Sequence, residues 1–230
     1  MRHTDTVTQP KSEGDNERVG GEVLRLFERS DALQTTAIAS LAQAIPPSTR
    51  KGVLATSIGA VSLEHWRAQR LLLREGLYVT GFALVRLQFE AVVRAIWILE
   101  CAKDDWMERF VTPMADGQLE EPVLGPPVPA MLSAIATKTP VIAGMLSQLK
   151  EGAWEPMHSY VHGGVRPIAH SMAGTTHYQL SAVLRNANGL GLLAVNAMTI
   201  VLGDPRLNGF VAHLQREYAD CLPPPKPLSS

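Results

Sequence analysis

Arg86, Glu90 and Arg94 stand at i, i+4 and i+8 inside the most apolar stretch of this 230-residue chain, Leu77 to Cys101. At about 100° per residue the three share one helical arc about 80° wide. Glu90 and Arg94 have the favourable i to i+4 orientation, and Arg86 can reach Glu90 from the other side. Two readings follow. In one the stripe is a solvent-facing salt ladder worth roughly 0.3–0.5 kcal/mol per pair. In the other it is a buried ion pair in a pocket, where Arg86 presents a fixed fork to a carboxylate or phosphate.

A second constellation lies in the segment Trp154 to Gly164, where Glu155, His158 and His162 fall at i, i+3 and i+7 on one helical face. Glu-x-x-His is the ligand spacing of di-iron carboxylate bundles, but that site needs a second copy and the chain has none. A His-x-x-x-His pair can hold zinc, yet zinc proteases place a glutamate between their histidines and this chain does not. The plainer alternative leaves His158 exposed and packs His162 at a helix end, its ring bonded to a nearby carboxylate or carbonyl. Gly163-Gly164, ahead of Val165-Arg166-Pro167, lets backbone approach a ligand or simply stops a helix. No strand precedes it and no Gly-Lys-Ser/Thr follows, so it is not a phosphate loop.

The elements that must position these residues read as helices throughout. Glu17 to Ala44 forms the first, with Val23, Leu24, Phe27, Leu33, Ala37, Ile38 and Leu41 inward, ending before Pro46-Pro47. Arg50 to Glu75 forms the second, with Leu54, Ile58, Val61, His65, Ala68 and Leu72 inward and Gly76 as its C-cap. The short turn at Gly76 makes it antiparallel to the central helix, and puts His65 at about the level of Arg86 and Glu90. Asp104 to Ala115 is a short helix, followed by a Pro-rich loop from Asp116 to Pro129. The spacing then predicts a helix from Val128 to Lys150 broken at Pro140, a short helix from Trp154 to His162, and a loop over Val165 to Gly174. A long helix, His177 to Leu202, is capped by Thr175 or Thr176 and ends at Gly203. Arg206 to Tyr218 is the last helix. No alternating run supports a sheet. The fold class is therefore all-α, a single multi-helix bundle over residues 17–221 with an antiparallel central hairpin, between a disordered tail at 1–16 and a Pro-rich tail at 222–230.

Hydrophobic residues make up 46% of the chain, enough for a sizeable core, and charged residues only 19%. A formal net charge of −1 argues against broad non-specific nucleic-acid binding. Cys101 and Cys221 give neither a disulfide framework nor a CxxC zinc pattern. With no apolar signal segment and no run long enough to span a bilayer, a cytoplasmic protein without membrane association is expected. A surface poor in charge and rich in Leu, Val and Trp predicts a homodimer.

Several motifs together resemble a group of uncharacterised bacterial helical proteins similar to HEPN domains and abortive-infection proteins. They are a histidine on the second helix, Gly76-Leu77-Tyr78 leading to Ala83-Leu84-Val85-Arg86-x-x-x-Glu90, and Tyr160-Val161-His162-Gly163-Gly164. The likeness spans about Leu54 to Arg166. HEPN domains are helical bundles, usually dimeric. Many are metal-independent ribonucleases of toxin–antitoxin and anti-phage systems, with an arginine and a histidine in the site. The resemblance implies a defence or toxin–antitoxin protein that cleaves RNA without a cofactor. Arg86 and Glu90 would supply the cation and its partner, and His162 the general acid or base, with His65 and Tyr160 in support. RNA or an antitoxin-like protein would be its partner. Two other readings stand beside it. One is a non-catalytic bundle acting through oligomerisation or partner binding. The other is a metal- or small-molecule-binding bundle using Glu155, His158 and His162.

Overall fold

The computed structural model describes residues 13–111 and 125–224. Among these there is no strand, and the fold is the all-α bundle with a central antiparallel hairpin. The helices are α1 (Glu13–Ala42), α2 (Arg50–Arg74), α3 (Tyr78–Glu100), α4 (Asp104–Val111), α5 (Val128–Ala136), α6 (Pro140–Val161), α7 (Val165–Ala173), α8 (His177–Leu202) and α9 (Phe210–Glu217). Two 3₁₀ turns, Pro205–Leu207 and Ala219–Cys221, flank α9. No helix among the described residues is long and apolar enough to cross a membrane. Most of the segments expected as the N-terminal tail, the Pro-rich loop and the C-terminal tail lie outside the described residues, although α1 begins at Glu13, inside the stretch read as tail.

The hairpin of α2 and α3 is built at Gly76. Its positive φ of 77° is the left-handed conformation that closes a helix, and Leu77 N–H donates to Leu72 O at 2.8 Å while Gly76 N–H donates to Leu73 O. α3 then runs back along α2 and is covered by α5, α6 and α8. Thr176 caps α8 in a reciprocal box with Gln179, and Gly203 ends that helix at φ 59°.

The core is apolar but is crossed by two sets of hydrogen-bonded polar groups. Trp66, fully buried on α2, donates its indole N–H to Asn188 Oδ1 on α8 at 2.9 Å. Asn188 Nδ2 donates to Ser30 Oγ on α1 and to Cys221 O, both at 2.8 Å. Gln34 Nε2 donates to Trp66 O. Gln69 Nε2 donates to Gln88 Oε1 at 2.7 Å, and Gln88 Nε2 to Ala187 O at 3.0 Å. Arg70 closes the first set on α1, bonding Gln34 Oε1 and pairing with Asp31. The Cys221 thiol is buried in the same region, which pushes its pKa up to about 11 and keeps it a neutral thiol.

Several expected details are corrected. The buried face of α2 is Gly52, Ala55, Gly59, Ser62, Leu63, Trp66, Gln69, Arg70 and Leu73. The predicted apolar row of Leu54, Ile58, His65, Ala68 and Leu72 lies half-buried on its flank, and Val61 is exposed. Close helix contact selects small residues and paired amides there, which a hydrophobic pattern scores as polar. Leu24, expected inward on α1, is also exposed. α6 continues through Pro156 as one helix to Val161 rather than ending and restarting at Trp154. Its buried Ala143, Leu146 and Met157 hold it on the bundle despite one lost backbone bond. Val165–Ala173 is a helix and not a loop, because Pro167 sits in its first turn, where proline costs no backbone bond. The last expected helix is divided at Gly209, whose φ of 71° no continuous helix accepts.

Two substitutions test this packing. Asn188→Ala strands the Trp66 N–H and the Ser30 and Cys221 acceptors, and should cost about 1–3 kcal/mol in urea denaturation. At Gly191 an added Cβ would lie 2.3 Å from the Trp66 ring, so Gly191→Ala should also destabilise, by about 1–3 kcal/mol. Exposed Val141→Ala should leave the midpoint within about 0.5 kcal/mol of wild type.

Candidate functional site

The charged stripe on α3 is neither fully solvated nor fully enclosed. The Arg86 and Glu90 side chains are 15% and 25% exposed, and Arg86 Nε donates to Glu90 Oε1 at 2.8 Å. Glu90 thereby fixes one edge of the guanidinium. Its other edge reaches across to α6, where Arg86 Nη1 is hydrogen-bonded to His158 Nδ1. His162, one turn after His158, places its ring 4.3 Å from the His158 ring, tilted by 47°. Both histidines are exposed at the C-terminal end of α6. A cation held between a carboxylate and an imidazole, with a second imidazole beside it, thus opens to solvent where α3 meets α6. Arg94, half-buried further along α3, completes the stripe.

The other expected members fall in different places. Glu155 is on α6, but its side chain lies outside the described residues. Among the described residues no group of three or more His, Cys, Asp or Glu side chains could hold a metal. The guanidinium on His158 also opposes a second cation at that ring. His65 is half-buried on α2, and desolvation lowers its pKa against a small opposing effect of Glu64. One turn after His65, Gln69 bonds Gln88 across the hairpin. Gly163, at φ 64°, ends α6, and Gly164 lies so close to Ser159 that an added Cβ would stand 2.5 Å from its hydroxyl. Ser159 Oγ in turn accepts from Arg166 N–H at the start of α7. The doublet is therefore the α6–α7 corner.

The residue that pattern reading did not single out is His170. It is 8% exposed on α7, and Tyr160 Oη is 2.7 Å from its Nδ1 while Thr175 Oγ1 bonds its Nε2. Tyr78 stacks on its ring with centroids 6.3 Å apart, and Phe82 meets it edge-on at 4.9 Å. Phe82 also packs edge-on against Tyr160. Phe82 lies one helical turn before Arg86, so this aromatic cluster docks α7 and the end of α6 beside the charged site. Tyr160 thus packs beside the charged cluster. Burial lowers the His170 pKa and raises that of Tyr160, the latter opposed by Arg166. His170 was hidden by reading Val165–Ala173 as a loop. Drawn as a helix, the segment turns His170 away from Val165, Ile168 and Met172.

Stability should depend on this histidine. Its folded-state pKa lies below the ordinary 6.5, as does that of His65, so the unfolded chain binds more protons below neutrality. The contribution is complete above about pH 6.5 and is lost as pH falls through that value toward the lowered folded-state values. Denaturation midpoints should therefore drop as pH falls from about 7 to 5. The drop should be smaller in His170→Gln, and an identical slope in that variant contradicts the assignment.

No curated protein and no solved structure matches the chain. A family model does match, over residues 59–224, and its span takes in Arg86, Glu90, His158, His162 and His170. The chain belongs to DUF6988, a family of unknown function.

Proposed function

We propose that this protein is a metal-independent ribonuclease of HEPN-like, defence or toxin–antitoxin type, with Arg86, His158 and His162 as its working groups and Glu90 holding Arg86. The observation that carries the reading is the bridge from Arg86 to His158, with the His162 ring tilted against that of His158. Imidazole is the side chain best suited to exchange protons near neutral pH, and two of them supply both a base and an acid. One histidine removes the proton from a ribose 2′-hydroxyl. The 2′-oxygen attacks phosphorus, the bond to the 5′-oxygen breaks, and the other histidine protonates the leaving oxygen. Arg86 neutralises the charge that builds on the non-bridging oxygens. The products are a 2′,3′-cyclic phosphate and a free 5′-hydroxyl. Glu90 keeps the guanidinium in place between turnovers, and is a positioning residue rather than a catalytic one.

The test is RNA cleavage by purified protein with and without EDTA, against single-stranded and structured RNA. Cleavage should persist in EDTA and yield cyclic-phosphate ends. His158→Ala and His162→Ala should each reduce the rate by about 10²-fold or more while far-UV circular dichroism is unchanged. Arg86→Lys keeps the charge but loses the fork, and should also reduce it. Absence of cleavage of every RNA, or full activity in both histidine variants, overturns the proposal.

A second reading, partner binding, is favoured by one observation. α7 turns Val165, Ile168 and Met172 outward, exposed by 79%, 60% and 84%, in one stripe beside the site. If that stripe holds a protein partner or a second copy, Ile168→Asp should abolish the assembly in sedimentation without altering the fold. A chain that sediments as a monomer alone and in the presence of candidate partners contradicts it.

A further inference from the structure

α6 and α8 both pack on α3, and a cleft of about 640 Å³ lies between them. α6 lines it with Ile142, Met145 and Leu149, and α8 with Leu193 among others, positions that share one face of each helix. α9 and the end of the described chain at Pro223 and Pro224 form its remaining walls. Two features define its chemistry. Among the described lining side chains none is ionisable, and most are aliphatic. The polar groups among them are carboxamides, those of Gln148, Asn186, Asn196 and Gln215, which both donate and accept.

We propose that this cleft is a binding site for an uncharged aliphatic molecule, an acyl or alkyl chain ending in a neutral amide, ester or alcohol. Its volume is that of a small-molecule site, apolar with a few polar groups. A carboxylate or ammonium brought into it would lose water and find no counter-charge among the described lining residues, so these select neutral ligands. Leu, Ile and Met side chains suit a flexible chain, and the carboxamides suit a head group that needs both a donor and an acceptor. The cleft is formed by the first half of α6, whereas His158 and His162 lie at its other end. This proposal is thus independent of the ribonuclease reading, and either can fail without the other.

The test uses the full chain. It is titrated into Nile red, an uncharged apolar dye, and bound dye is displaced by decanamide or by decanoate at about pH 8. One dye per chain should bind saturably, with decanamide displacing it at a concentration at least about tenfold lower than decanoate. Ala212 and Gln215, exposed at the mouth of the cleft, are the sites for filling variants. Ala212→Trp should weaken dye binding about tenfold or more with little change in Tm, and Gln215→Trp provides the same test should Ala212→Trp fail to fold. Val141→Trp, at an exposed position that does not line the cleft, should bind as wild type. Four results overturn the proposal. The first is no saturable binding of the dye. The second is equal displacement by decanoate, and the third is unchanged binding in both filling variants. The fourth is a cleft already taken: by a second copy, if wild type is a dimer that Ala212→Trp makes monomeric, or by the chain itself, if dye binds only after removal of residues 225–230.

Discussion

The buried contact between the Trp66 indole and the Asn188 carboxamide is the constraint on which the rest of the structure depends. Asn188 accepts from Trp66 on α2 and donates both to Ser30 on α1 and to the Cys221 carbonyl in the 3₁₀ turn after α9. One side chain on α8 therefore ties three separate parts of the sequence. Each of these groups is out of water, so losing one partner leaves others stranded, at a cost of about 1–3 kcal/mol. An apolar core of similar volume would tolerate sliding of one helix on another. A hydrogen-bonded one admits a single register, as the Gln69–Gln88–Ala187 chain does for α2, α3 and α8.

That register places the candidate site. Gln88 and Arg86 are two residues apart on α3, about 200° around the helix, so they face opposite ways. Anchoring Gln88 against α2 and α8 turns Phe82, Arg86 and Glu90 toward α6 and α7. Arg86 is then half-buried, where its pairing with Glu90 is screened less than on an open surface. Its desolvation is compensated by partners that include Glu90 and His158. The Tyr160–His170–Thr175 bonds, packed on Tyr78 and Phe82, keep α7 in place and so hold the corner that carries His162.

Much of this was legible in the residues. The 3.6-residue periodicity, the prolines and the Gly76, Thr176 and Gly203 caps gave the helix order. The i, i+4 spacings of Arg86 with Glu90 and of His158 with His162 marked both halves of the candidate site. Only the resemblance joined Arg86 to His162; the contact of Arg86 with His158 was not legible, since the packing of α3 on α6 is tertiary and no local spacing encodes it. The inward face of α2 was misread because Gly52, Gly59, Ser62 and Gln69 score as polar, although small residues and matched amides are what close packing there demands. His170 escaped for a related reason. Pro167 signalled a loop, yet in the first turn of α7 it is compatible with a helix.

The central claim is that Arg86 and the two α6 histidines form one anion-binding unit. The most direct measurement follows the imidazole proton resonances of the chain by NMR during titration with a 2′-O-methyl RNA dinucleotide, which binds but cannot be cleaved. The account predicts that the His158 and His162 signals shift together and saturably, that those of His65 and His170 stay in place, and that Arg86→Gln abolishes the shifts. Signals that do not move at millimolar dinucleotide, or that move equally in Arg86→Gln, would contradict it.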